Sequence, residues 1–112
     1  MKDFNYLENV DFAATVCDKD GVVLYQNACA RDRDGDVAGK NLFGCHKKAT
    51  AEFIRQMIAT GKSNTYEVIR HGKRKLLHQT PWFDEPSGPV AGLIEIAIDL
   101  PEKHTVLNKD GE

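Results

Sequence analysis

The sequence predicts a single α+β domain, a five-stranded antiparallel sheet with helices packed on one face. Three observations carry this. One stretch, Gly39 to Gly61, holds the only long amphipathic helix pattern. Short β-branched and aromatic runs lie before and after it, joined by turn signals, and 112 residues suffice for one core but not two. The domain is expected over residues 13–100, with 1–12 as an N-terminal helix or cap and 101–112 as a polar tail or linker.

Phe4, Leu7, Val10 and Phe12 fall at helical spacing behind Asp3, which predicts a short helix over residues 3–12. Ala13 to Asp18 and Val22 to Asn27 then read as two strands around Asp18-Lys19-Asp20-Gly21, where Gly21 supplies a positive φ. The next stretch, ACARDRDGDVAG, has no clear period and predicts a helical turn at Ala28 to Asp32 inside a polar loop. Asp32, Asp34 and Asp36 lack the glutamate that an EF-hand calcium loop places at its end, so no metal is expected.

From Lys47 to Thr60, Ala49, Phe53, Ile54, Met57 and Ile58 form one apolar stripe, and Gly61 is the expected left-handed terminator. Residues 64–71, 73–83 and 90–99 predict three consecutive strands. His71-Gly72-Lys73 reads as a tight reversal, and Asp84 to Pro89 as a longer loop. In the last strand Ile94, Ile96 and Ile98 share one face, while Leu93 and Ala97 punctuate the other. By the same parity His78 and Trp82 share a face.

Fifteen Lys and Arg against seventeen Asp and Glu give a net charge of -2, so no global basic field favours nucleic acid or an anionic membrane, and neither is expected as a partner. The basic run Arg70 to Lys75 reads as a solvated hairpin tip. No signal peptide or membrane-length apolar run is visible, so a cytoplasmic location is expected. Cys17, Cys29 and Cys45 are widely spaced and odd in number, which predicts reduced thiols.

Three segments together resemble the PAS domains, in that family's order and across Ala13 to Leu100. The run DKDGVVLYQNA (Asp18 to Ala28) is similar to their first hairpin, which ends in asparagine. GKNLFG (Gly39 to Gly44) is similar to the turn before their long helix, and PWFDEPSGPVAGLIEIAIDL (Pro81 to Leu100) to the end of their sheet. The resemblance implies a sensory or interaction module, a cavity between sheet and helices, and dimerisation through an N-terminal helix or the outer sheet face. It also implies that Asn27 fixes the loop after it by hydrogen bonds.

Candidate cavity residues are Tyr25, Asn27, Phe43, Cys45, His46, Phe53, Met57, Tyr66, His78 and Trp82. The flavin motif of light-sensing PAS domains, G-x-N-C-R-F-L-Q, is not matched, since Leu42 follows Asn41. Haem through His46 is a lesser reading and would be noncovalent, since Leu42 stands where a Cys-x-x-Cys-His attachment needs its first cysteine. A thiol-dependent activity through Cys45 is another, because adjacent side chains diverge on regular elements and no oxyanion feature completes a site. At a helix start Cys45 and His46 also suit anion binding or a redox-sensitive thiol, against the plainer roles of packing and capping.

The leading expectation is a cytoplasmic, non-enzymatic sensory module, a homodimer that binds a small molecule and relays the change to an effector domain or protein. The alternative is a ligand-free dimerisation domain. The sequence specifies no cofactor.

Overall fold

The computed structural model describes residues 4–42 and 48–111, without the side chains of residues 48–50 and 53. A 3-10 turn, Asn5–Leu7, is followed by β1 (Ala13–Asp18), β2 (Val23–Gln26), α1 (Ala28–Asp34), α2 (Lys48–Thr60), β3 (Asn64–Arg70), β4 (Lys73–Phe83) and β5 (Val90–Asp99). The five strands form one sheet in the order β2-β1-β5-β4-β3, every described pairing antiparallel.

Turn chemistry sets the hairpins. Gly21 sits at φ 86°, and Asp18 Oδ1 accepts from the backbone N–H groups of Asp20 and Val22, an Asx-type closure of the β1–β2 turn. His71 and Gly72 both take positive φ, 54° and 75°, as a two-residue turn matched to the strand twist requires.

Register divides the sheet into two faces. Thr15 pairs with Glu95, Cys17 with Leu93, Gln79 with Glu95 and Leu77 with Ala97, and these residues share the inner face. Both helices pack there. Ile54 and Met57 of α2 are buried against Cys17 and Leu93, with Leu42 and Ile58 partly buried beside them. Ala30 of α1 is buried against Ala13 and Ala97, small residues that let the short helix lie close to the sheet. Ala51 of α2 is also buried, which the predicted stripe did not include. Gly61 ends α2 at φ 70°, its N–H donating to the Met57 carbonyl at 2.9 Å.

Among the described residues, the predicted helix over 3–12 is absent beyond the 3-10 turn. Its carbonyls are taken by other partners: Asn27 Nδ2 donates to the Leu7 and Phe12 oxygens at 2.9 and 2.8 Å, and the Ala28 N–H to the Glu8 oxygen at 3.0 Å. Those groups are lost to an i, i+4 ladder. Conversely α1 runs two residues further than its predicted turn, capped by Asn27 Oδ1 accepting from the Ala30 N–H.

Candidate ligand cavity

Between the inner sheet face and α2 lies a cavity of about 290 Å³. Leu42, Ile54, Leu93, Val37 and Cys17 supply apolar wall, and Thr15, Gln26, Asp34, Gln79 and Glu95 supply polar groups. Its size is at the lower end for small-molecule sites, and an apolar wall with a few fixed polar groups is their usual make-up.

The wall on the β2 side is a loop laced to the strand. Gln26, 3% exposed, donates from Nε2 to the Gly35 oxygen at 3.0 Å and accepts at Oε1 from the Val37 N–H at 2.8 Å. Further along, Gly39 donates to the Val23 oxygen and Leu42 to the Gly21 oxygen, at 2.8 and 2.7 Å. Gln26 is thereby a structural member of the wall, with both ends of its amide used.

Gln79 is different. It is 4% exposed, and its Nε2 donates across the strand pair to Glu95 Oε2 at 2.7 Å. Its Oε1 is buried with no partner among the described residues. An unpaired buried acceptor costs about 1–3 kcal/mol, so a donor brought by a ligand has a place to bind. Beside it, burial pushes the Cys17 thiol up to about 11, a shift in which the charges of Asp18 and Glu95 are lesser contributors. Such a thiol is a packing group rather than a nucleophile.

The sequence-predicted residues are placed elsewhere. Tyr25 stacks on Phe4, ring centroids 4.8 Å apart, and its hydroxyl donates to Glu8 Oε1 at 2.7 Å. Asn27 is fully buried and fully bonded: Oδ1 accepts from the Ala14 and Ala30 N–H groups, Nδ2 donates to Leu7 and Phe12. Met57 belongs to the core cluster. Tyr66 lies on the inner-face register at β3, its phenol raised by burial first and by Glu95 second. His78 and Trp82 do share a face, but it is the outer one. His78 Nδ1 meets Thr65 Oγ1 at 2.7 Å, and Trp82 Nε1 donates to the Cys17 oxygen at 2.9 Å.

None of these six lines the cavity. Phe43, Cys45 and His46 lie outside the described residues, as does the side chain of Phe53. Readings that depend on His46 or Cys45 therefore fall outside the described structure. Among the described residues no three His, Cys, Asp or Glu side chains are grouped to hold a metal ion. No described helix is long and apolar enough to cross a membrane.

Residues 7–105 match the family model described as the PAS fold. No curated protein matches the chain. Among solved structures, the VqmA dimer of Vibrio cholerae is 21% identical with a TM-score of 0.71, over 96% of this chain and 56% of that one. VqmA bound to DPO is also 21% identical, with a TM-score of 0.69 over 88% and 56%. A sensory box sensor histidine kinase from Vibrio cholerae is 17% identical, with a TM-score of 0.63 over 87% and 88%. At these identities the likeness is one of fold, and the chain spans about half the length of the VqmA chains.

The VqmA structures correct one expectation. Net charge excluded nucleic acid from the partners, yet VqmA is described as a receptor of LuxR type with target DNA. A net charge of -2 describes the field of this domain alone. It carries no information about contacts made by the remaining length of a longer receptor, so the exclusion does not stand.

Proposed function

This chain belongs to the PAS-fold family, and from that premise we propose that it is a sensory and signal-transduction module whose cavity takes a small ligand and whose sheet passes the change to a partner domain or subunit. The observation that carries this reading is Gln79, buried in the cavity wall beside Glu95 with an acceptor atom left unpaired. That VqmA, a protein of the same fold, has been solved bound to DPO supports a small molecule as the occupant.

A relay route accompanies the cavity. Asp34 lines it, and the neighbouring Arg33 holds Asp99 Oδ1 at 2.5 Å, at the last residue of β5 where the chain leaves the sheet. A ligand that displaces the end of α1 is therefore felt at the C-terminal exit. The same proposal makes the module a non-enzymatic one, which binds and relays. It also makes it cytoplasmic, in keeping with the free thiols of Cys17 and Cys29.

The second reading, a ligand-free homodimerisation domain, is favoured by the outer sheet face. Ile69 and Ile98 are 68% and 43% exposed there, beside the half-buried Leu76, Ile94 and Ile96. A dimer through this face is compatible with sensing as well.

Native mass spectrometry and an absorbance scan of freshly purified protein separate the two readings. A retained small mass that Gln79→Leu abolishes supports sensing. A dimer with an empty cavity, unchanged by that substitution, supports the second reading.

A further inference from the structure

A second depression lies on the inner face beyond Glu95, toward the β3–β4 hairpin. It is an open groove of about 440 Å³. Its floor is apolar, made by Val68, Leu77 and Ala97, and its walls carry Arg33, Arg70, Lys73 and Lys75 against Asp34 and Glu95. Register explains the convergence: Arg70 pairs with Lys73 and Val68 with Lys75, so three cations from two strands point to one face. The fourth, Arg33, arrives from the last turn of α1.

The charges are unequally satisfied. Arg74, on the other face, is held by Glu67 at 2.7 Å, and Arg33 Nη2 by Asp99. Among the described residues Arg70, Lys73 and Lys75 have no ion pair, and Arg33 Nη1 is buried with no acceptor. Asp99 thus fixes a guanidinium whose second nitrogen faces no oxygen. The cations that an anion in the groove can reach are therefore chiefly Arg70, Lys73 and Lys75, with Arg33 held behind them.

We propose that this groove is a second ligand site, which takes an organic anion with an apolar body. The anionic head lies among Arg33, Arg70, Lys73 and Lys75, and the body on Val68, Leu77 and Ala97. A hydrophilic anion leaves that floor uncovered, and a cation meets like charge. The site shares Asp34 and Glu95 with the cavity, but it does not depend on the cavity being occupied.

The test is a titration of the full chain, followed by amide resonances, with octanoate, octylammonium and inorganic phosphate as probes. Octanoate is expected to shift Val68, Leu77 and Ala97 saturably, with octylammonium causing no saturable shift and phosphate binding at least about tenfold more weakly. Arg70→Gln with Lys75→Gln should weaken octanoate about tenfold while keeping a dispersed spectrum. If that double variant does not fold, Lys73→Gln alone carries the comparison. Absence of a saturable octanoate shift, equal binding of octylammonium or of phosphate, or undiminished binding in the folded variant overturns the proposal.

Discussion

Trp82 donates its indole N–H to the Cys17 carbonyl at 2.9 Å, reaching from β4 to β1 across the strand that separates them. The crossing passes over Gly92. A Cβ built there lies 2.0 Å from the Cys17 oxygen and 2.5 Å from Trp82 Nε1. Gly92→Ala is therefore expected to destabilise the domain by about 3 kcal/mol through forced backbone movement. Trp82→Phe, which keeps one aromatic ring and removes the donor with part of the ring volume, is expected to cost about 1–2 kcal/mol. Urea unfolding of both variants checks the order, and equal losses would show that the indole N–H matters as much as the space.

Asn27→Ala removes four hydrogen bonds at once, two of them from buried backbone N–H groups, and takes away the cap of α1. A loss of about 3 kcal/mol is expected. Asn27→Asp keeps the cap and the Ala14 contact but turns two donated bonds into repulsions with the Leu7 and Phe12 oxygens. Hydrogen exchange should therefore show the N-terminal segment freed in the Asn27→Asp variant while α1 stays protected. Uniform loss of protection would refute this division of labour.

The Cys17 thiol is raised from 9.0 to about 11, first by burial and then by neighbouring charge. An acid held protonated in the folded state makes stability fall as pH rises from the unfolded value through the folded one. Stability should thus decline between about pH 9 and about pH 11 by a component that Cys17→Ala removes, read from denaturant midpoints across that range. Brief alkylation at pH 8 with peptide mapping should label half-buried Cys29 ahead of Cys17.

Glu8 is held below its ordinary value of 4.5, mainly by the hydrogen bond from Arg31 and next by that from Tyr25. A depressed carboxyl contributes stability that is present above its unfolded value and lost as pH falls through the folded one. Acidification below about 4.5 should loosen the N-terminal segment from Tyr25. Glu8→Gln should do so at neutral pH, visible as faster exchange at residues 5–8. An unchanged exchange rate would show that the Phe4–Tyr25 stack and the bonds from Asn27 and the Ala28 N–H hold the segment without the carboxylate.

Period and turn residues made the sheet and α2 legible in the sequence. Gly21, Gly61 and the His71-Gly72 pair mark their turns, and the alternation in β5 separated Leu93 and Ala97 from Ile94, Ile96 and Ile98, while the structure shows that the former pair packs against the helices. The resemblance to PAS domains gave Asn27 its fixing role, though not its reach to Leu7 and Phe12, which rewrites the N-terminal segment. The cavity was not legible. The expected residues are mostly aromatic or reactive, whereas the wall includes Thr15, Cys17, Gln26, Gln79, Leu93 and Glu95. One signal was present: Glu95 stands between Leu93 and Ala97 on the apolar side of β5, and a carboxylate at such a position needs a partner. That this partner is Gln79 depends on cross-strand register, which no single strand encodes.

Asn27 also bears on where the folding unit begins. Its amide is satisfied only when residues 7 and 12 are in place, β1 has paired and α1 has started, so those pieces stand or fall as one. A shortened chain beginning at Ala13 would keep every strand and both helices, and yet lose both acceptors of the Asn27 amide and open that side of the core to water. Residues 7 and 12 thus close the core through their backbone oxygens rather than through side chains.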